Sequence, residues 1–203
     1  PARSSTYTVP FPVAPVLPRF PMDKTGALSL TLLFLFVAGA EAGKCKDVRA
    51  TSTAACRQAS TSKLLYDICV QMLAGSPDRG DVRSHALTAA GAVLESYAAT
   101  GVAINKMLRS GSDRMKEAML FCTQYYYHAQ IRFKEIKTLL EDNSDCDLKT
   151  FEAVYSDAIM RLDDCRSKMI PIQGESPSMY GMIYTDGHRS FLAFRLGLLV
   201  ANP

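Results

Sequence analysis

His85, His128 and His188 are the three imidazoles in the 203 residues, and acid–base, nucleophilic or metal chemistry would have to be organised around them. None sits in a supporting pattern. His-Glu-x-x-His, Gly-x-Ser-x-Gly and a phosphate-cradling glycine loop are all absent, so spacing assembles no nucleophile, base and oxyanion or metal group. Asp163-Asp164 and Glu141-Asp142 are paired carboxylates, but neighbouring residues on a helix point in different directions, which makes them solvated surface. The run Tyr125-Tyr126-Tyr127-His128 could form an aromatic patch. As helix, it is expected to pack Tyr125 inward and wrap its neighbours round the flanks, with His128 on the surface or flank. The nine methionines read as core filler, since thioethers fit irregular gaps. Cys-x-x-Cys does not occur, which leaves zinc and thioredoxin-like chemistry without support. No catalytic residue, cofactor, metal or small-molecule substrate is expected.

The cysteines are what remains. Cys45, Cys56, Cys69, Cys122, Cys146 and Cys165 all follow a segment, 22–42, with a basic residue, an apolar run from Ala27 to Ala38 and the triplet Ala40-Glu41-Ala42. That is the pattern of a secretory signal peptide cut between Ala42 and Gly43. The apolar run is too short for a membrane span, which needs roughly 20 residues. Residues 1–21 hold no methionine and six prolines, and are read as upstream translation that carries no fold. Export makes disulfides the default state of the cysteines, although six of them admit too many connectivities for counting to choose. Three of the 23 basic and two of the 20 acidic residues precede Gly43, so the mature chain carries 20 against 18. Such a balance predicts neither nucleic-acid nor membrane binding. No Asn-x-Ser/Thr sequon is present.

The elements that would position these residues are helical. Val82, Ala86, Ala89, Val93, Tyr97, Gly101, Ile104 and Leu108 step by three or four, which predicts a helix over 81–109, opened by Asp81 and stopped by Gly111. A second helix is predicted over 113–141, with Met115, Ala118, Cys122, Tyr125, Ala129, Phe133, Ile136 and Leu140 inward and Ser112 or Asp113 at its start. The polar segment 141–147 reads as a loop. A third helix over 148–169 carries Phe151, Tyr155, Ala158, Leu162, Cys165 and Met169 and ends at Pro171. The stretch 171–181 reads as a loop, and a fourth helix is predicted from Thr185 or Asp186 to about Val200. The reading is all-α: an up-down four-helix bundle over 81–202 behind a short helical hairpin over 44–76, in one domain, 43–203. No period-two run argues for a sheet.

The cysteine blocks carry a resemblance. The segment 55–73 ends in Tyr66, Asp67, Cys69 and Leu73, a dozen residues after Cys56; 118–133 aligns Cys122, Tyr126 and Ala129; 157–165 is an alanine-containing helix ending in Cys165; and 176–199 is a Ser-Pro loop with an apolar last helix. In this order they resemble the plant invertase and pectin methylesterase inhibitor family over about 50–200. The resemblance implies disulfides Cys56–Cys69 and Cys122–Cys165, each worth roughly 3–4 kcal/mol by loop-closure entropy. It supplies no partner for Cys45 or Cys146, which are left free, joined to each other or linking two molecules.

The resemblance also implies function: a secreted, non-enzymatic protein of the apoplast or cell wall, or of the vacuole, that plugs a carbohydrate-active hydrolase in a stoichiometric complex. Invertase-directed members carry Pro-Lys-Phe about seventeen residues before the cysteine of the third bundle helix. Here that register holds Leu148-Lys149-Thr150, with Phe151 one place late, a shift that turns the ring by about 100°. Lys149, Thr150 and Phe151 are the candidate partner-binding residues of the invertase reading. Pectin methylesterase is the favoured target, through the exposed faces of 82–109 and 113–140. A secreted helical storage or lipid-carrying protein is a further reading, and Ala86, Ala89, Ala90 and Gly101 argue against it by predicting close packing instead of a tunnel.

Overall fold

The computed structural model describes residues 44–76, 80–143 and 146–201. The stretch 1–21 and the expected export signal 22–42, with its expected cleavage point between Ala42 and Gly43, lie outside the described residues. The elements are β1 (Arg49–Ala50), α1 (Ser52–Ala59), α2 (Lys63–Met72), β2 (Gly80–Asp81), α3 (Val82–Ser110), α4 (Asp113–Asp142), α5 (Leu148–Met169) and α6 (Pro177–Leu198), with a 3-10 turn at Ile170–Ile172. The four long helices form the bundle, α3 beside α4 and α6, α5 beside the same two. The α1–α2 hairpin lies against α3 and α6.

Local chemistry sets the helix bounds. A helix start presents N–H groups with no intrahelical acceptor, and at α3, α4 and α5 a side chain supplies one. The Ser84 N–H donates to Asp81 Oδ1 at 2.6 Å, Met115 N–H to Ser112 Oγ at 3.2 Å, and Thr150 N–H to Asp147 Oδ2 at 3.0 Å. Gly111 caps α3, and α4 ends on Asn143 in the left-handed region at φ 52°. Between the ends, apolar positions at helical spacing close one core: Val82, Ala86, Ala89, Val93, Tyr97 and Ile104 from α3 meet Met115, Cys122, Ala129, Phe133, Ile136 and Leu140 from α4. All six residues expected to face inward from α5 are buried. By length and composition α3 would qualify as a membrane span, but its apolar face lines this core.

Four expectations need correction. On α4 the inward tyrosine is Tyr126, not Tyr125, which is half-buried; Tyr126 continues the four-residue step from Cys122, and its hydroxyl has a partner inside. The fourth helix opens at Pro177, eight residues before Thr185. Proline at the first helical position needs no N–H partner, and burial of Met179 and Ile183 outweighs the cost of about 1 kcal/mol for Gly181. A minimal antiparallel ladder pairs Arg49 with Asp81 and Ala50 with Gly80, extended by the Val82 N–H donating to the Val48 carbonyl at 2.7 Å. Lastly, there are three disulfides, not two: Cys56–Cys69, Cys122–Cys165 and also Cys45–Cys146, with Cα separations of 5.5, 4.7 and 4.8 Å. The segment at Cys45 lies against the end of α4, where the Cys45 N–H donates to Asn143 Oδ1 at 3.0 Å and the Lys46 N–H to the Val200 carbonyl at 2.8 Å.

Two glycines on α6 test the packing. A Cβ at Gly197 would lie 2.9 Å from the Tyr155 hydroxyl, which donates to the Ala193 carbonyl at 3.0 Å, whereas one at Gly187 meets nothing within 4 Å. Gly197→Ala should therefore destabilise by about 1–3 kcal/mol through overpacking. Gly187→Ala should stabilise by roughly 0.5–1 kcal/mol through helix propensity, and urea unfolding of both variants checks the opposite signs.

Candidate functional surface

Among the described residues, the largest group of buried polar side chains lies where α3, α4 and α6 meet. Asp186 is 1% exposed. Its carboxylate accepts from the Ser96 hydroxyl, from Thr100 Oγ1 at 2.6 Å and from the Tyr126 hydroxyl at 2.7 Å. Arg189, one turn on, donates to Ser96 and stands 4.0 Å from the carboxylate. Beside it the Tyr97 and Ser190 hydroxyls are 2.7 Å apart, and Ser190 Oγ donates to the Asp186 carbonyl at 2.6 Å. Burial holds the phenols of Tyr97, Tyr126 and Tyr155 well above their ordinary value, so all three stay protonated donors. Asp186 was seen at the sequence level only as a helix start. Continuing the helical step back from Ser190 through Asp186 and Ile183 to Met179 would have marked it as a core position.

The cluster is internally satisfied, each of its side chains having a partner within it. His85 and His188 have structural partners. His85 is buried with Nδ1 2.9 Å from Ser76 Oγ and Nε2 3.1 Å from the Ala50 carbonyl, which ties α3 to the hairpin and ladder. His128 is exposed on α4. His188 packs its ring against Tyr184 at 4.4 Å, and partial burial, aided by the Arg166 charge, lowers its pKa. Among the described residues no group of His, Cys, Asp or Glu is placed to hold a metal.

What remains is surface. The structure separates the three residues of the invertase reading: Lys149 is exposed, Thr150 is half-buried with both its N–H and Oγ1 donating to Asp147, and Phe151 is fully buried with its ring 6.0 Å from that of Tyr155. On α4, Leu120, Tyr127 and Ile131 are 64%, 62% and 42% exposed. Their spacing of seven and four puts them on one outward stripe, three turns long, within the helix expected to carry a binding face. Phe121 borders it beneath Lys168 Nζ, 4.5 Å above the ring, and Val102 stands out from α3 at 72% exposure. Exposed apolar side chains on one helix face are a feature that binding sites share, although Thr123 and Gln124 interrupt this row between Leu120 and Tyr127.

These features define a class: a four-helix bundle with a helical hairpin at its head, cross-linked by disulfides. The fold is that of a known inhibitor. The crystal structure of mutant form A of a pectin methylesterase inhibitor from Arabidopsis matches with a TM-score of 0.62, over 76% of this chain and 99% of that one, at 16% identity. No family model and no curated protein sequence matches the chain.

The polar contacts make two measurable claims. Asp186→Ala strands three buried hydroxyls and Arg189 and should cost about 3–5 kcal/mol; Tyr126→Phe removes one donor and should cost roughly 1–2 kcal/mol, both by chemical denaturation. Between α4 and α5, Arg132 Nε donates to Asp157 Oδ2 at 2.7 Å, with Arg161 at 3.2 Å from Oδ1, and the Arg132 hydrogen bond lowers the Asp157 pKa. A lowered carboxylate pKa stabilises the fold above its unfolded value of about 4 and ceases to do so as pH falls through the folded value. Arg132→Gln should thus lose roughly 0.5–1 kcal/mol at pH 5–7, and its deficit against the parent should shrink below about pH 4 in thermal unfolding.

Proposed function

We propose that this protein is an exported inhibitor of a cell-wall carbohydrate-active hydrolase, with pectin methylesterase the favoured target, acting by docking over the active site in a one-to-one complex. The observation that carries the proposal is the shared fold, which takes in nearly the whole length of the Arabidopsis inhibitor. Occlusion asks for a stiff body and a complementary face, and no reactive group. A bundle whose helices are already cross-linked loses little conformational freedom on docking, which favours affinity. The outward stripe of α4 supplies apolar and aromatic anchors of the kind that dominate interface energetics. An exported location in the apoplast accords with the disulfides and the leader-like segment 22–42.

Acid invertase is the second reading, and the exposed position of Lys149 in the first turn of α5 favours it. Phe151, held in the core, is not offered as a contact in either reading.

Titrating the purified protein against pectin methylesterase and acid invertase separates the two targets. Inhibition of pectin methylesterase saturating near one-to-one is the expected result, and no inhibition of either enzyme would sink the proposal. Tyr127→Ala and Leu120→Asp should each weaken inhibition about tenfold or more while leaving the thermal midpoint unchanged, because both side chains stand in solvent. If invertase is the target, Lys149→Ala should carry the loss instead.

A further inference from the structure

The third disulfide sits differently from the other two. Cys56, Cys69, Cys122, Cys165 and Cys146 are all fully buried, whereas Cys45 is only half-buried. Attack on a disulfide needs a thiolate to reach one of its sulfurs, so Cys45 offers the entry that the two interior bridges deny. The bridge holds the arm 45–50, and the arm closes one end of the bundle. Its Cys45 N–H donates to Asn143 at the end of α4, its Lys46 N–H to Val200 after α6, its Val48 carbonyl accepts from Val82 at the start of α3, and its Ala50 carbonyl contacts His85. Cys146 adjoins Asp147, the cap of α5. Four helix ends thus meet around one addressable bond.

We propose that Cys45–Cys146 is a site of thiol–disulfide exchange, a latch opened by dithiol reductants while Cys56–Cys69 and Cys122–Cys165 stay closed, and that opening it releases the arm from the bundle end. A thiolate of the reductant attacks Cys45 Sγ, forming a mixed disulfide and expelling the Cys146 thiolate. The reductant's second thiol then attacks its own bonded sulfur, releasing the Cys45 thiolate and leaving the reductant as a disulfide. Two electrons pass from dithiol to protein, and the two cysteine thiolates take up the protons the dithiol gives up. The bundle persists because both interior bridges and the Asp186 cluster are untouched.

Stepwise native-state reduction with dithiothreitol, alkylation of the freed thiols and peptide mass spectrometry reads the order of opening. The first two thiols should appear at Cys45 and Cys146. Amide exchange at Lys46 and Val82 should then quicken about tenfold or more while Phe133 in mid-α4 keeps its protection, and oxidised glutathione should restore the starting rates. The double variant Cys45→Ser with Cys146→Ser should reproduce the faster exchange without reductant. First thiols at either interior bridge, six thiols appearing together, or unchanged exchange at Lys46 and Val82 once the bond is open would each overturn the latch. None of these readouts involves inhibition, so the latch and the inhibitor reading stand or fall separately.

Discussion

A carboxylate withdrawn from water inside an apolar bundle is destabilising by several kcal/mol unless donors surround it, and Asp186 imposes that condition on three helices at once. Ser96 and Thr100 come from α3, Tyr126 from α4, and Arg189 from α6 itself. Sliding α3 or α4 by a single turn would move its donors about 5.4 Å along the axis and leave the charge bare. Apolar packing alone is more forgiving, because alanine-rich faces such as Ala86, Ala89 and Ala90 can mesh in more than one register. The buried acid adds little net stability by itself, but it makes the wrong registers costly.

The remaining bundle helix, α5, is fixed by other means. No residue of α5 reaches Asp186; instead Cys165 is bonded to Cys122 on α4, Asp157 is held by Arg132, and Tyr155 packs over Gly197 of α6 with its hydroxyl on the Ala193 carbonyl. An aromatic chain from Tyr126 through Tyr97 and Phe133 to Tyr155, edge to face at 5.3 to 5.6 Å, joins the two halves of the core. The hairpin and arm then cover the bundle end, where helix termini would otherwise leave unpaired backbone groups.

Local signals were legible and distant ones were not. The bounds of α3 and α4 follow from a helical period framed by capping residues, and Asp81 and Ser112 do cap them; Asp147, which reads as loop, caps α5. The start of α6 was hidden because Pro177, Gly181 and the serines carry loop composition, and only the burial of Met179 and Ile183 shows otherwise. Tyr125 and Tyr126 differ by one residue in a run of three identical rings, and what decides between them, the Asp186 carboxylate, lies sixty residues away on another helix. The Cys45–Cys146 link, 101 residues apart, has no local signature at all. The α4 stripe follows from the same period: with Cys122 and Ala129 inward, Leu120, Tyr127 and Ile131 fall on the outer face.

The division of labour follows from that phase. Once Cys122, Tyr126, Ala129 and Phe133 are turned inward by the disulfide, the buried acid and the aromatic chain, Leu120, Tyr127 and Ile131 are turned outward with no freedom to roll back. A single amphipathic helix would bury such residues by rotating; here rotation would break a covalent bond and strip a buried charge of a donor. The interior constraints therefore hold an apolar surface in water that the chain would otherwise hide. A surface kept exposed at that cost is suited to a partner that covers it, as the proposed inhibitor role requires.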